Sequence, residues 1–288
     1  MTSPERNFNT ISPSAKSLLL MKGHTNIPYA KQTAELICFP GKYVPDYRRK
    51  DFRFWIRTVH FESRYFSIDQ LLSDLPVKNI LELSSGYSFR GLDITRTKDI
   101  YYIDTDLPDM TEMKNKFKEA LADGMLLKGK YEIMPLNALD KVKFEETISR
   151  FPEGEIAIVN EGLLMYLDND EKEKLCGIIH KVLKQRGGYW ITADIYLKRT
   201  IERMQLIQDE NEEKFFREHR VEEKRFNSFE EAEVLFKKTG FIIDKEAQPD
   251  NAKLSSVKYL LENSSVEELQ MLKARGKVQA TWRLKTTD

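Results

Sequence analysis

The sequence has few cysteines and few histidines. Its 288 residues include two cysteines and four histidines. Cys38 and Cys176 lie far apart, and two such thiols form neither a disulfide framework nor a zinc cluster, so they favour a reducing compartment. The histidines show no paired metal-ligand spacing, so no metal site is predicted.

Other absences exclude classes of partner. The 46 basic residues balance the 46 acidic ones, whereas nucleic-acid-binding proteins are usually basic, so we expect no nucleic-acid partner. No apolar run approaches the roughly 20 residues of a transmembrane helix, and residues 1–16 contain no apolar signal core. We therefore expect a cytoplasmic enzyme or binding protein that does not bind membranes. No coiled-coil repeat is visible, so we expect a monomer.

Short apolar runs alternate with helical patterns through the middle of the chain. Strands are predicted over residues 78–83, 100–103, 155–159, 189–193 and, on a weaker pattern, 131–134. Such runs, rich in Ile, Val and Tyr and separated by helices, predict a parallel sheet with βαβ connections. Two later runs, 241–243 and 278–284, predict closing strands at one edge of the sheet. A helical segment over about 255–275 lies between them.

The length predicts one or two domains, and the pattern favours one. We expect a single domain over 1–288, with a helical cover over 1–75, a cofactor-binding core over 76–195, a charged helical insertion over 196–226 and a C-terminal helix and strands over 227–288. Between Asp209 and Arg225, 12 of 17 residues are charged. This density fits either a solvated helix face or a cover over a site.

A turn of small residues, 84–86, follows the first predicted strand, which carries Glu82. Small residues let a ligand approach the backbone, and Gly86 tolerates a positive φ. Asp104 lies 22 residues after Glu82 and ends the next strand together with Asp106. At that spacing in nucleotide-binding βαβ units, a carboxylate accepts hydrogen bonds from ribose hydroxyls.

The glycine-rich dinucleotide fingerprint is absent, because Ser84, Gly86 and Phe89 occupy its three glycine positions. A pyrophosphate requires a tight turn with free backbone N–H groups at a helix start. The turn therefore favours a nucleoside ligand without a diphosphate. S-adenosylmethionine is the leading candidate, because its sulfonium and amino group suit an acidic lining. On these residues alone, a buried Glu82 satisfied by backbone donors is the alternative.

Three segments together resemble the leucine carboxyl methyltransferase family, whose bacterial branch comprises O-methyltransferases assigned to small molecules. They are residues 81–90, 102–108 and 160–167, and the run Glu-Gly-Leu-Leu-Met-Tyr-Leu in the third is the most specific. The resemblance implies an α/β, Rossmann-like seven-stranded methyltransferase sheet with its last strand antiparallel. It also implies an N-terminal helical cover and S-adenosylmethionine as cofactor. The methyl group would pass to a carboxylate or hydroxyl of a small molecule or peptide terminus.

The resemblance also assigns roles to individual cofactor-binding residues. The set implied is Lys16, Arg57, Glu82, Ser84, Gly86, Asp104, Asp106, Asn137, Ala138 and Glu161. In it, Lys16 and Arg57 would hold the cofactor's carboxylate, a task that suits the bidentate grip of a guanidinium. Each has an alternative as a solvated helix residue.

The remaining roles follow the order of the strands. Gly86 would line the methionine moiety, and Asp106 would bind the ribose with Asp104 as close support. Asn137, beside Ala138, would contact the adenine, and Glu161 would lie under the cofactor near the transfer site.

The acceptor pocket is predicted from two residues. Tyr166 would line it, with core packing as the alternative, and Arg90 would reach it, with local capping or pairing as the alternative. The sequence departs from the family pattern, because Ser84 replaces a usual glycine, Asn137 a usual aspartate, and Ser88 and Phe89 a usual Asp-Thr.

Methyl transfer from a sulfonium is an in-line displacement that depends mainly on orientation. A carboxylate is already ionised near neutrality and needs no base, whereas a hydroxyl needs one within hydrogen-bond reach. No His–Asp pairing is visible, so the sequence favours a carboxylate or an acidic phenol and predicts no catalytic residue. Two other functions remain open: a non-catalytic, methyltransferase-like module that binds a protein, and a nicotinamide-dependent oxidoreductase.

Overall fold

Each strand of the sheet forms on one of the predicted apolar runs. The computed structural model describes residues 12–198 and 210–287. The strands are β1 (Asn79–Leu83), β2 (Tyr101–Asp106), β3 (Lys130–Pro135), β4 (Ile156–Asn160), β5 (Gly188–Tyr196), β6 (Phe241–Glu246) and β7 (Gln279–Thr286). The weak 131–134 pattern is thus a full strand, β3.

Helices precede, separate and follow these strands. In chain order they are α1 (Ser12–Lys22), α2 (Ala30–Cys38), α3 (Phe52–Ser73), α4 (Arg90–Thr97), α5 (Pro108–Leu121), α6 (Lys141–Ile148), α7 (Asn169–Arg186), α8 (Glu210–Glu218), α9 (Phe229–Lys238), α10 (Val257–Glu262) and α11 (Val266–Ala274). Short 3₁₀ turns occupy Leu164–Tyr166 and Asn251–Lys253.

The strand order is β3-β2-β1-β4-β5-β7-β6. The first five strands are mutually parallel, and β7 runs antiparallel to both of its neighbours, β5 and β6. The predicted sheet with an antiparallel last strand is therefore confirmed. The order in which strands are added to the sheet reverses between β1 and β4. In open α/β sheets ligands bind at that switch point, outside the carboxyl ends of the strands.

Two apolar cores hold helices on opposite faces of the sheet. Alternate side chains of β1 divide between them, with Leu81 and Leu83 in one core and Ile80 in the other. The first core includes α6, α7 and α9, and the second includes α3, α4 and α5. Residues buried on both faces explain why these strands read as near-continuous apolar runs.

Helices α7 and α9 begin at a capping-box sequence, an Asp or Ser followed three residues later by a Glu. Asp168 and Glu171 form a reciprocal capping box at α7. Ser228 caps α9 by accepting the Glu231 N–H, but Glu231 bonds to Asn227 rather than to the cap backbone. Each cap satisfies backbone donors that a helix start otherwise leaves open.

The described parts of the charged segment 196–226, residues 196–198 and 210–226, contain less helix than the pattern predicts. Tyr196 still belongs to β5, Leu197 bridges Phe226, and α8 ends at Glu218. Residues 199–209 lie outside the described part of the chain. The backbone turns at Arg220, whose φ is 51°, a left-handed conformation that does not continue a helix. Among the described residues, no helix is long and apolar enough to cross a membrane.

Candidate active site

A cavity of about 880 Å³ lies at the carboxyl ends of the parallel strands. Residues that follow β1, β2, β3 and β4 form one wall, and α1 and α3 form the opposite wall. The volume is within the usual range for small-molecule sites. Within residues 12–198 and 210–287, no group of three or more His, Cys, Asp or Glu residues is placed to hold a metal ion.

The turn after β1 borders the cavity and is held by β2. The Ser85 N–H donates to the Thr105 carbonyl at 3.0 Å, and the Gly86 N–H donates to Asp106 Oδ2 at 2.8 Å. Both Ser84 and Gly86 have a φ of 51°. That conformation suits Gly86 but costs a serine of order 1 kcal/mol.

Asp106 is the carboxylate that closes this turn. Its Oδ1 accepts the Leu107 N–H at 2.8 Å, and it lines the cavity. Burial raises its pKa, against the two backbone donors that favour the charged form. Each carboxylate oxygen has a second lone pair, so Asp106 retains two acceptor positions for a ligand's hydroxyls.

Glu82 lies beneath the turn and lines the cavity floor. Its Oε1 accepts from Arg90 Nη1 at 3.1 Å, and its Oε2 accepts from the Tyr102 hydroxyl. Burial raises the pKa of Glu82, and the Arg90 charge opposes that rise. Arg90 itself is not among the residues that line the cavity. Its Nε donates to Asp69 at 2.7 Å, so it is a buried partner of the floor carboxylates.

Asp104 faces the interior rather than the cavity. It pairs with Lys114 at 2.7 Å, where both side chains are fully buried, and it accepts from Tyr131. Lys114 also donates to Ser85 Oγ at 2.8 Å. Asp104 therefore supports the turn through Lys114 and does not line the cavity.

Asn137 and Ala138, directly after β3, line the cavity. The Asn137 Oδ1 already accepts the Leu139 N–H at 3.0 Å. Its remaining lone pair is the acceptor available to an adenine amino group.

Glu161, after β4, is the most strongly paired residue of the cavity wall. Its Oε1 lies 2.6 Å from Lys22 Nζ and 3.0 Å from Arg64, and its Oε2 lies 3.5 Å from Arg90. Burial alone would raise the pKa of Glu161, but the charges of Lys22, Arg64 and Arg90 together lower it to about 2. Arg90 is also paired with Glu82 at 3.1 Å and Asp69 at 2.7 Å, so the excess of positive charge comes from Lys22 and Arg64, which share Glu161.

The other residues predicted from the sequence are divided between cavity and surface. Arg57 and Tyr166 line the cavity, and the Tyr166 hydroxyl lies 3.4 Å from Ser14 Oγ. Lys16 is exposed on α1 and is not among the lining residues. Lys22, at the end of the same helix, is the α1 lysine that reaches the cavity.

A buried His–Tyr pair also borders the cavity, and the sequence did not indicate it. His60 Nε2 lies 2.8 Å from the Tyr196 hydroxyl, which accepts from Arg64 Nη1 at 2.9 Å. Protein encloses His60, although part of its ring faces the cavity. Burial lowers the pKa of His60 to about 3, and neighbouring arginines act in the same direction. His60 is therefore neutral near pH 7.

One signal in the sequence predicts part of this group. Arg57, His60 and Arg64 follow one another at spacings of three and four residues, which places them on one face of a helix. On α3 that face points into the cavity. No local pattern connects Lys22 or Tyr196 with them, because their proximity depends on how α1 and β5 pack.

No family model and no curated protein matches the chain, but solved structures do. A DUF574 family protein from Streptomyces avermitilis MA-4680 is 11% identical, with 97% of this chain and 100% of that chain covered and a TM-score of 0.57. Magnesium protoporphyrin IX methyltransferase from Synechocystis PCC 6803, with bound SAH, is 10% identical, with 91% and 98% covered and a TM-score of 0.49.

A third similar structure is that of LepI in complex with SAH and a substrate analogue. It is 11% identical with a TM-score of 0.44, and the match covers 74% of this chain and 44% of that one. The chain thus spans less than half the length of LepI. At such identities the likeness concerns the fold alone. The match to the Streptomyces protein covers 97% of this chain and 100% of that chain. The chain therefore has a Rossmann-like fold, with a seven-stranded sheet whose last strand is antiparallel, over nearly the full length that it shares with the Streptomyces protein.

Proposed function

We propose that the chain is an S-adenosylmethionine-dependent O-methyltransferase. The observation that carries this proposal is the arrangement of four strand ends around one cavity. The β1 turn is bonded through Gly86 to Asp106, and Asn137 and Glu161 follow the neighbouring strands. Acceptors for ribose and adenine therefore stand beside a small-residue turn with no diphosphate fingerprint, as a nucleoside cofactor requires.

We expect the cofactor to lie along this cavity. Asp106 would accept the ribose hydroxyls, and Asn137 and Ala138 would border the adenine. The methionine moiety would lie between Gly86 and Glu161. Its carboxylate would meet the excess positive charge of Lys22 and Arg64, a more suitable partner than the exposed Lys16. When bound, the cofactor supplies an electrophilic methyl group.

The chain's own residues favour an acceptor oxygen that is already ionised. His60 is the histidine that borders the cavity, and its pKa of about 3 makes it a weak base. A general base works best when its pKa lies near the operating pH. A carboxylate or acidic phenol needs no such base, so the protein's task is to orient the acceptor and exclude water.

Calorimetric titration with S-adenosylhomocysteine tests the proposal, with NAD as the comparison ligand. The product is chosen because it does not turn over. We expect micromolar binding of S-adenosylhomocysteine and none of NAD. Tighter binding of NAD would establish an oxidoreductase instead, and binding of neither would favour the non-catalytic module.

A matched pair of variants localises the binding. Asp106→Ala removes both ribose acceptors and should weaken S-adenosylhomocysteine binding by roughly ten- to a hundred-fold, the loss expected for charge-assisted hydrogen bonds. Asp123→Ala, at an exposed position, should leave the affinity unchanged. Equal affinities in the two variants would contradict the ribose assignment.

A further inference from the structure

Charge is divided unevenly along the cavity. Its acidic lining residues are Glu82, Asp106 and Glu161, all at the strand ends where the cofactor is proposed. A second part of the cavity, which we call the acceptor lobe and which joins Glu161 through Tyr196 and Arg64, is formed by His60, Tyr196, Lys198, Phe216, Arg225 and Arg275. None of the residues that the structure describes as lining this lobe is an aspartate or glutamate.

Arg225 is the most enclosed cation of the acceptor lobe, because its side chain is only 8% exposed. Its guanidinium lies 5.4 Å from the centre of the Tyr196 ring and 5.6 Å from that of Phe216. Nη1 is 3.4 Å from Glu222, but the buried Nε makes no hydrogen bond. A buried guanidinium N–H without an acceptor is costly, and a ligand oxygen would satisfy it.

His60 shows that the cations of this lobe lie close together. After burial, the charges of Arg64, Arg275 and Arg225 are the largest causes that lower its pKa. Of these, Arg64 lies 3.0 Å from Glu161. Arg225 and Arg275 are the two arginines of this set that belong to the acceptor lobe.

The rest of the wall is apolar. Phe215, Phe216, Leu260 and Leu272 border the same part of the cavity. A ligand that suits it has an apolar body and one anionic group, because apolar walls favour the body and a planar guanidinium grips two oxygens of a carboxylate or phosphate.

We propose that the acceptor lobe binds an organic anion, a carboxylate or a phosphate monoester on an apolar body, through Arg225 and Arg275. The identification of this anion as the methyl acceptor rests on the proposed function. The anion-binding site itself does not, because it is built from residues outside the proposed cofactor site. This anionic group anchors the acceptor in the lobe.

Three matched probes test the site by calorimetry: 2-naphthoate, 2-naphthyl phosphate and 2-naphthalenemethanol. Each is titrated into the full chain with and without S-adenosylhomocysteine. We expect the better anion to bind at least about ten-fold more tightly than the alcohol, the gain of a charge-assisted bidentate contact. The order of the two anions distinguishes a carboxylate acceptor from a phosphate. Equal affinity of all three, or no binding of either anion, would overturn the proposal.

Substitutions identify the residues that bind the anion. Arg225→Met should reduce the affinity for the preferred anion about ten-fold and leave the alcohol unchanged. Arg48→Met, at an arginine that is 99% exposed, is the charge-matched control and should change neither. If Arg225→Met does not fold, Arg275→Met makes the same comparison. An unchanged anion affinity in the folded variant refutes the site. If the unmodified chain prefers the anions to the alcohol but does not bind S-adenosylhomocysteine, the anion site stands and only the proposed function is refuted.

Discussion

Replacing Glu161 with glutamine tests whether one carboxylate holds the cavity wall together. Glu161 is 5% exposed and is the common partner of Lys22, Arg64 and Arg90, which come from α1, α3 and α4. Glutamine keeps the size of the side chain and removes its charge. Lys22 and Arg64 would then lose their shared counter-ion, whereas Arg90 keeps Glu82 and Asp69, so we expect α1 in particular to pack less firmly.

The pKa of Glu161 gives the size of the effect. Its value of about 2, against an ordinary 4.5, corresponds to about 3 kcal/mol of stability at pH 7, since each pH unit is worth ~1.4 kcal/mol. The burial of Lys22, which lowers its own pKa despite Glu161, offsets part of this gain. We therefore expect Glu161→Gln to lower the free energy of unfolding by at most about 3 kcal/mol, near the range for a broken buried ion pair.

The sign of the pH dependence follows from the lowered pKa. The stabilisation by Glu161 is complete well above pH 4.5 and is lost as the pH falls towards 2, because the unfolded chain binds the proton first. In urea denaturation followed by circular dichroism, Glu161→Gln should have a lower free energy of unfolding than the wild type. This deficit should be about 1 kcal/mol smaller at pH 4 than at pH 7.

Glu153→Gln is the control, because Glu153 is exposed; its stability should match that of the wild type. A deficit in Glu161→Gln below about 1 kcal/mol at pH 7, in the range of an exposed pair, would refute the reasoning. A deficit that grows as the pH falls would refute it as well.

Two further predictions concern the turn and the thiols. Because Ser84 has a φ of 51°, Ser84→Gly should be more stable than Ser84→Ala by about 1 kcal/mol in urea denaturation, and equal stabilities would contradict the left-handed conformation. Burial raises the pKa of Cys176 to about 12, whereas Cys38 is half-buried. At pH 8 a disulfide reagent should therefore modify one thiol of the native chain quickly and the second only after denaturation, and fast modification of both would contradict the burial of Cys176.

The fold was predictable because its signals are local. Runs of β-branched and aromatic residues occur at every strand, and Asp168 and Ser228 begin their helices as their capping-box spacing predicts. The expected helix over 196–226 shows the limit of this approach. A run of charges indicates exposure, but the strand end at Tyr196 and the turn at Arg220 depend on packing against other parts of the chain.

The site was predictable where its residues belong to strand ends. The carboxyl ends of neighbouring parallel strands carry four of the predicted residues, so the convergence of these residues follows from the topology. They are Glu82, Asp106, Asn137 and Glu161. The resemblance implied that Lys16 binds the cofactor's carboxylate, yet helical geometry places it on the exposed side of α1. Residues six apart on a helix differ by 600°, so Lys16 and Lys22 point in different directions.

Residues that come together only through packing could not be found in this way. His60 and Tyr196 lie 2.8 Å apart although 136 residues separate them. No motif spans such a distance, and neither residue lies in the segments that resemble the methyltransferase family. The end of the cavity proposed for the cofactor is thus formed by strand ends, and the acceptor lobe by helices and late segments. The proposed anion specificity of this lobe therefore depends on the part of the sequence with the weakest local signals, and direct ligand measurements on Arg225 and Arg275 are the route to it.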